Sequence, residues 1–163
     1  MKPSRRVFGV DPGLARLGWA VLETRGQQLV LIDSGCLETT GQEKTERRLR
    51  TLFVDLLALL KRYSPFVMSV EKLYFTNNIS TGMAVSQARG IALLAAAMTD
   101  VPVVEFTPTS VKQAVTGDGR ADKRQIQRMV ALLLRLKRLP RHDDTTDAMA
   151  LAICGSAVSL SRL

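Results

Sequence analysis

Apolar positions recur along this chain at two periods, one of strands and one of helices. Arg6 to Asp11, Gly18 to Glu23 and Leu29 to Cys36 are short, rich in Val, Leu and Ile, and bounded by turn signals at Pro12-Gly13 and around Gly26. They predict three strands in an antiparallel meander. Leu49, Leu52, Phe53, Leu56, Leu57 and Leu60 then follow helical spacing, with Arg47, Arg48, Arg50 and Lys61 facing outward and Pro65 ending the run. Phe66 to Val70 reads as a short buried strand, Thr81 to Met98 as a helix and Val101 to Phe106 as another strand. The remainder predicts helices over Ser110 to Val115, Asp122 to Lys137 and Asp144 to about Leu160. Three strands followed by α-β-α-β-α describe an α/β fold with a mixed sheet, an antiparallel meander extended by parallel strands and flanked by helices.

Composition adds bounds to this picture. The 163 residues are 46% hydrophobic, enough for a full core, and no Pro/Gly/Ser-rich linker divides them, so one domain over residues 1–163 is expected. The basic start Met1 to Arg6 is followed by only four apolar residues, Val7 to Val10, which is too few for a signal-peptide core. No run approaches membrane-spanning length, and a cytoplasmic protein away from membranes is expected. Cys36 and Cys154 stand far apart without metal-ligand spacing and read as ordinary reduced thiols.

The charge balance points to a partner. With 23 Lys+Arg against 15 Asp+Glu the net charge is +8, which favours a polyanion such as nucleic acid, although a basic surface also serves solubility. Lys112, Arg120, Lys123, Arg124 and Arg128 gather in and after the loop Thr116-Gly117-Asp118-Gly119, and Lys137, Arg138 and Arg141 follow. A Gly-containing loop leading into a basic helix can track phosphates.

Against this basic background a few carboxylates occupy special places. Asp11 ends the first predicted strand, where Pro12-Gly13 turns the chain away, and Glu71 ends the fourth. Sites in α/β sheets form beyond strand ends, and adjacent strands lie about 4.8 Å apart, so these two could share a cation if their strands are neighbours. Asp144 and Asp147 are three residues apart, on one face of the last helix. Ordinary roles are available too: an Asp before Pro-Gly commonly serves the turn, and capping accounts for one or both of Asp143 and Asp144. Asp147 is harder to account for in that way, since it lies among Ala148, Met149, Ala150, Leu151 and Ala152, and a buried carboxylate needs a partner or a metal.

Gly9-Val10-Asp11-Pro12-Gly13, Val70-Glu71-Lys72-Leu73-Tyr74, Gln87-Ala88-Arg89-Gly90, Val111-Lys112-Gln113 and Asp144-Thr145-Thr146-Asp147-Ala148-Met149-Ala150 together resemble the RuvC Holliday-junction resolvases, in order over nearly the whole chain. The resemblance implies a ribonuclease-H-like fold, a homodimer, and divalent-metal-dependent nicking of four-way DNA junctions in recombination and repair. It implies a metal-binding catalytic set of Asp11, Glu71, Asp144 and Asp147, and DNA contacts for Tyr74, Lys112 and Lys123. Phe75 is a second aromatic beside Tyr74, and which ring meets DNA stays open. Spacing to Asp147 selects Asp144, leaving Asp143 as the expected N-cap and His142 as either a plain surface residue or an outer-sphere or acid-base group.

Four adjacent carboxylates raise one another's pKa values unless cations neutralise them. Two Mg²⁺ or Mn²⁺ ions per site would suit an oxygen-only donor set, where Zn²⁺ would not, and would support in-line hydrolysis to 5′-phosphate and 3′-hydroxyl ends. Paired nicks in opposed strands need two sites, hence a C2 dimer, for which the small-residue helix Thr81 to Met98 is a candidate interface or simply a close-packed neighbour of its own sheet. A branch-migration complex is left open as a further partner. Two rival classes remain: a related ribonuclease-H-like nuclease acting on RNA or another branched nucleic acid, and a fragment of an actin-like or sugar-kinase ATPase, which would need a second such domain.

Overall fold

A computed structural model of the chain describes residues 5–73 and 79–158. The sheet has five strands, β1 (Arg5–Asp11), β2 (Arg16–Arg25), β3 (Gln28–Glu38), β4 (Val67–Glu71) and β5 (Val103–Phe106), in the order β3-β2-β1-β4-β5. The meander β1-β2-β3 is antiparallel, while β4 joins β1 and β5 joins β4 in parallel. This is the mixed sheet expected from the order of apolar segments. Five helices flank it: α1 (Thr45–Tyr63), α2 (Ile79–Ala97), α3 (Pro108–Thr116), α4 (Lys123–Leu133) and α5 (Asp143–Ser156). No helix among the described residues is long and apolar enough to cross a membrane.

The period-two alternation of the strands sorts their side chains between two cores. Phe8 and Val10 of β1, Leu17, Trp19 and Val21 of β2, and Met68 and Val70 of β4 pack with Leu52, Leu56 and Leu60 of α1 and with the buried alanines of α2. Val7, Ala20, Leu22 and Val67 face the other way, toward α3, α4 and α5. Asp11 shares parity with Val7, and Glu71 with Val67, so both carboxylates turn toward the α3–α5 side.

Helix α5 is drawn close on that side because glycines lie beneath it. A Cβ at Gly9 would overlap the carbonyl of Ala148, and one at Gly18 would overlap the carbonyl of Asp144. At these two points strand and helix therefore touch main chain to main chain. Thr145 strengthens the seat by donating its hydroxyl to the Gly35 carbonyl of β3 at 3.1 Å.

Helix ends follow local chemistry and correct two expectations. Helix α3 is capped by the Thr107 hydroxyl, has Pro108 in its first turn, and stops at Gly117 with φ 78°. Helix α4 begins with a capping box between Asp122 and Gln125. It ends at Leu133 rather than at Lys137, because Leu134 leaves helical geometry and Arg135 adopts φ 52°. Asp143 is not the N-cap of α5; His142 holds that position with no side-chain cap, and Asp143 is the first helical residue.

Candidate active site

β1 and β4 are hydrogen-bonded neighbours, with Val10 opposite Val70, so Asp11 and Glu71 leave adjacent strand ends on the same face. Helix α5 crosses above them and brings in Asp147. Asp11, Glu71 and Asp147 line one cleft of about 170 Å³, whose other walls include Lys112, Val111 and Ile126. Asp144 sits one turn before Asp147, above Gly18, and its charge acts on both Asp11 and Asp147. The four carboxylates predicted from separate parts of the sequence are thus brought together. Glu71 is exposed and the other three are half-buried.

The electrostatics of the cluster are those of like charges crowded in a poorly solvated place. Burial, reinforced by the charges of Asp147, Asp144 and Glu71, pushes the Asp11 carboxyl up to about 7, with Lys123 pulling the other way. Partial burial and the Asp147 charge also raise Glu71, and Lys112 opposes them. Asp147 is raised by burial and by Asp143 and Asp144, against the opposing charge of Lys123. The cluster's negative potential reaches Cys36, whose thiol is pushed up to about 11 by burial first and by Asp144 and Glu38 next.

Both lysines singled out in the sequence stand at this site. Lys112, from α3, lines the cleft itself. Lys123, the first residue of α4, pairs with Asp143 at 2.8 Å, and this hydrogen bond raises its pKa. Gln127 donates to the same carboxylate at 3.0 Å. Asp143 therefore ties α4 to α5, and its pull on Lys123 holds a cation beside the cluster. Tyr74 and Phe75 lie outside the described residues.

Three further features escaped the sequence reading. Arg89 of α2 ion-pairs with Glu105 of β5 and donates to the Glu71 carbonyl at 3.4 Å, bracing the strand end that carries Glu71. Its signal was present in the motif Gln87-Ala88-Arg89-Gly90, but a role requires the neighbouring strand to be known. His142 is not a plain surface residue: its side chain is 23% exposed and its Nε2 lies 2.8 Å from Glu38 Oε1. Cys36, read as an isolated thiol, stands beside that pair.

With this geometry in view, similarity to known proteins becomes decisive. The profile of the family described as crossover junction endodeoxyribonuclease RuvC matches residues 7–155. The chain belongs to the RuvC family. The crossover junction endodeoxyribonuclease RuvC of Thermomicrobium roseum is 50% identical over 149 residues, spanning 91% of this chain and 91% of its own. That of Chloroflexus aggregans is 49% identical over 149 residues, again with 91% of each chain covered. Among solved structures, the Thermus thermophilus RuvC in complex with a Holliday junction substrate superposes with a TM-score of 0.89 at 33% identity, covering 93% of both chains. The yeast mitochondrial Holliday junction resolvase shares the fold, with a TM-score of 0.65 at 11% identity over 93% of this chain and 79% of its own. The ribonuclease-H-like fold class and membership in a family of endodeoxyribonucleases, hydrolases of phosphodiester bonds, follow from these matches.

Proposed function

We propose that this protein resolves four-way DNA junctions, acting as a single nuclease domain in the cytoplasm and nicking opposed strands to leave 5′-phosphate and 3′-hydroxyl ends. The observation that carries the reading is the convergence of Asp11, Glu71 and Asp147 on one cleft with Asp144 beside it, on a chain of net charge +8 that sets Lys112 and Lys123 at the rim. RuvC relatives that carry the name crossover junction endodeoxyribonuclease support it, as does the likeness to a RuvC bound to a Holliday junction.

The donor set fits divalent cations. Asp11, Glu71 and Asp147, whose pKa values burial and neighbouring negative charge raise, form with Asp144 a site in need of positive charge, and oxygen-only ligands favour Mg²⁺ or Mn²⁺. Asp11, Glu71, Asp144 and Asp147 would hold two such ions. When bound, the ions supply the Lewis acidity that in-line phosphodiester hydrolysis requires. The chain's own residues do the rest. Lys112 and Lys123 draw phosphates to the rim, Asp143 and Gln127 fix the approach of α4, and the main-chain seat of α5 holds the carboxylates in place. Tyr74 is proposed to meet the junction beyond the end of β4.

A homodimer supplies the second site that paired nicking needs. The outward face of α2 supports it: Ala88, Ala92, Ala95 and Ala96 are consumed by the protein's own core, whereas Met83 and Leu94, and Met98 just past the helix end, are 60%, 49% and 60% exposed. These large apolar side chains suit a partner copy.

The deciding experiment compares an immobile four-way DNA junction with a linear duplex of the same sequence and with an RNA junction, in Mg²⁺, Mn²⁺ or EDTA, for the wild type and Asp11→Asn. Cutting of the DNA junction alone, lost in EDTA and in Asp11→Asn, is the expected result. Equal cutting of junction and duplex, or full activity of Asp11→Asn, refutes it, and preference for the RNA junction would favour the rival ribonuclease-H-like reading.

A further inference from the structure

We propose that Cys36, Glu38 and His142 form a second metal site, separate from the acidic cleft and suited to a transition ion of the Zn²⁺ class. The thiol sulfur, a carboxylate oxygen and an imidazole nitrogen lie within 4.8 Å of one another, and His142 Nε2 is already 2.8 Å from Glu38 Oε1. Cys36 and Glu38 are two residues apart on β3 and so share one face, opposite Gly18 and Arg16 of β2. His142 arrives from the other direction as the residue that opens α5. A strand presents two of the donors and the cap of a helix the third.

The spacing is close to what a tetrahedral ion requires. Bonds of about 2.3 Å to sulfur and about 2.0–2.2 Å to nitrogen and oxygen put neighbouring ligands roughly 3.3–3.8 Å apart. The imidazole and carboxylate would part by about half an ångström and the sulfur would close in by about one at most, shifts within the reach of side-chain rotation. The close contact of His142 with Glu38 accounts for two of the residues but not for the third. Among the described residues, the hydrogen bond of Cys36 is a 3.9 Å contact to the Leu37 carbonyl. The Glu38 side chain is 54% exposed and that of His142 23%, so solvent reaches the site and can fill a fourth position.

Donor chemistry separates this site from the cleft. A sulfur, a nitrogen and an oxygen select a borderline ion, whereas the carboxylate cluster selects a hard one, so Zn²⁺ and Mg²⁺ would partition between them. A Zn²⁺ ion would displace the Cys36 proton to solvent and part His142 from Glu38. It would then cross-link the end of β3 to the start of α5, two residues before Asp144.

The test titrates the full chain with Co²⁺ and then Zn²⁺, with Mg²⁺ in excess to keep the acidic cleft filled. One Co²⁺ per chain should produce a thiolate-to-cobalt charge-transfer band that Zn²⁺ bleaches, and Zn²⁺ should raise the melting temperature. Cys36→Ser should remove the band and weaken Zn²⁺ binding about 100-fold or more, since even outer ligand partners are worth 10- to 100-fold. Glu38→Gln, a second variant that keeps the thiol, should retain the band with weaker Co²⁺ affinity, while Asp11→Asn should leave the band and the Co²⁺ affinity unchanged. The proposal fails if no charge-transfer band forms, if the band survives Cys36→Ser, or if Asp11→Asn abolishes Co²⁺ binding, which would put the ion in the acidic cleft instead.

Discussion

Replacing Asp11 by Asn should make the metal-free protein more stable at alkaline pH while abolishing cutting. The Asp11 carboxyl lies at about 7 against an ordinary 3.8, so the folded state holds this proton more tightly than the unfolded state does. The sign is the reverse of a salt-bridged carboxylate. The proton's stabilising contribution is complete below the unfolded value and is lost as the pH climbs to the folded one, after which the fold carries a repelled charge. At about 1.36 kcal/mol per pH unit, raising the pH from about 5 to about 8 costs the wild type about 2.7 kcal/mol that the Asn variant does not lose. Asp11 is only half-buried, and screening by solvent reduces the figure to roughly 1–2 kcal/mol. For a chain of this size that corresponds to roughly 2–8 °C in melting temperature. Trp19, buried at 8% exposure between Phe8 and Tyr63, provides a fluorescence signal for melts in EDTA at the two pH values. Parallel loss of stability in both proteins, or a larger loss in Asp11→Asn, would refute the electrostatic account. Added Mg²⁺ should then stabilise the wild type at pH about 8 more than the variant, since it supplies the missing positive charge.

Further substitutions separate structure from chemistry. Gly18→Ala should cost about 3 kcal/mol or more in urea denaturation, because its methyl meets the Asp144 carbonyl and the main chains must part. It should also reduce junction cutting further than Leu56→Ala, a cavity mutation on the opposite face that costs about 2–5 kcal/mol. Lys112→Met removes the charge that lowers Glu71, so the acid limb of the pH–rate profile should move to higher pH, and the salt dependence of junction binding should fall by about one charge. Ser69→Ala should be neutral or stabilising by up to about 1 kcal/mol in thermal melts, because the Ser69 hydroxyl is fully buried without a hydrogen-bond partner among the described residues.

The strands and helices were legible because their apolar positions repeat at short range. Asp11 and Glu71 announce themselves as strand ends, and Asp147 as a charge inside an apolar helix. What escaped depends on distance. The end of α4 is set by the left-handed turn at Arg135, which carries no Gly or Pro to mark it. Asp143 looked like a cap because its pairing with Lys123 and Gln127 crosses from one helix to another. The two-residue spacing of Cys36 and Glu38 does place them on one face of a strand. Their neighbour His142, however, follows more than a hundred residues later, and only the seating of α5 on β2 and β3 brings it there.

The sheet's two faces have different jobs. On one, α1 and α2 pack through interlocking Leu, Phe, Trp and Ala side chains; on the other, α5 rests on Gly9 and Gly18 through main-chain contact. Interdigitated side chains can repack, whereas a main-chain contact has no softer arrangement to adopt. Drift in the α1–α2 core should therefore change how many molecules are folded, and leave the span between the strand carboxylates and the helix carboxylates the same in each one that is. Stability can wander in this protein without detuning its active site, provided those two glycines stay.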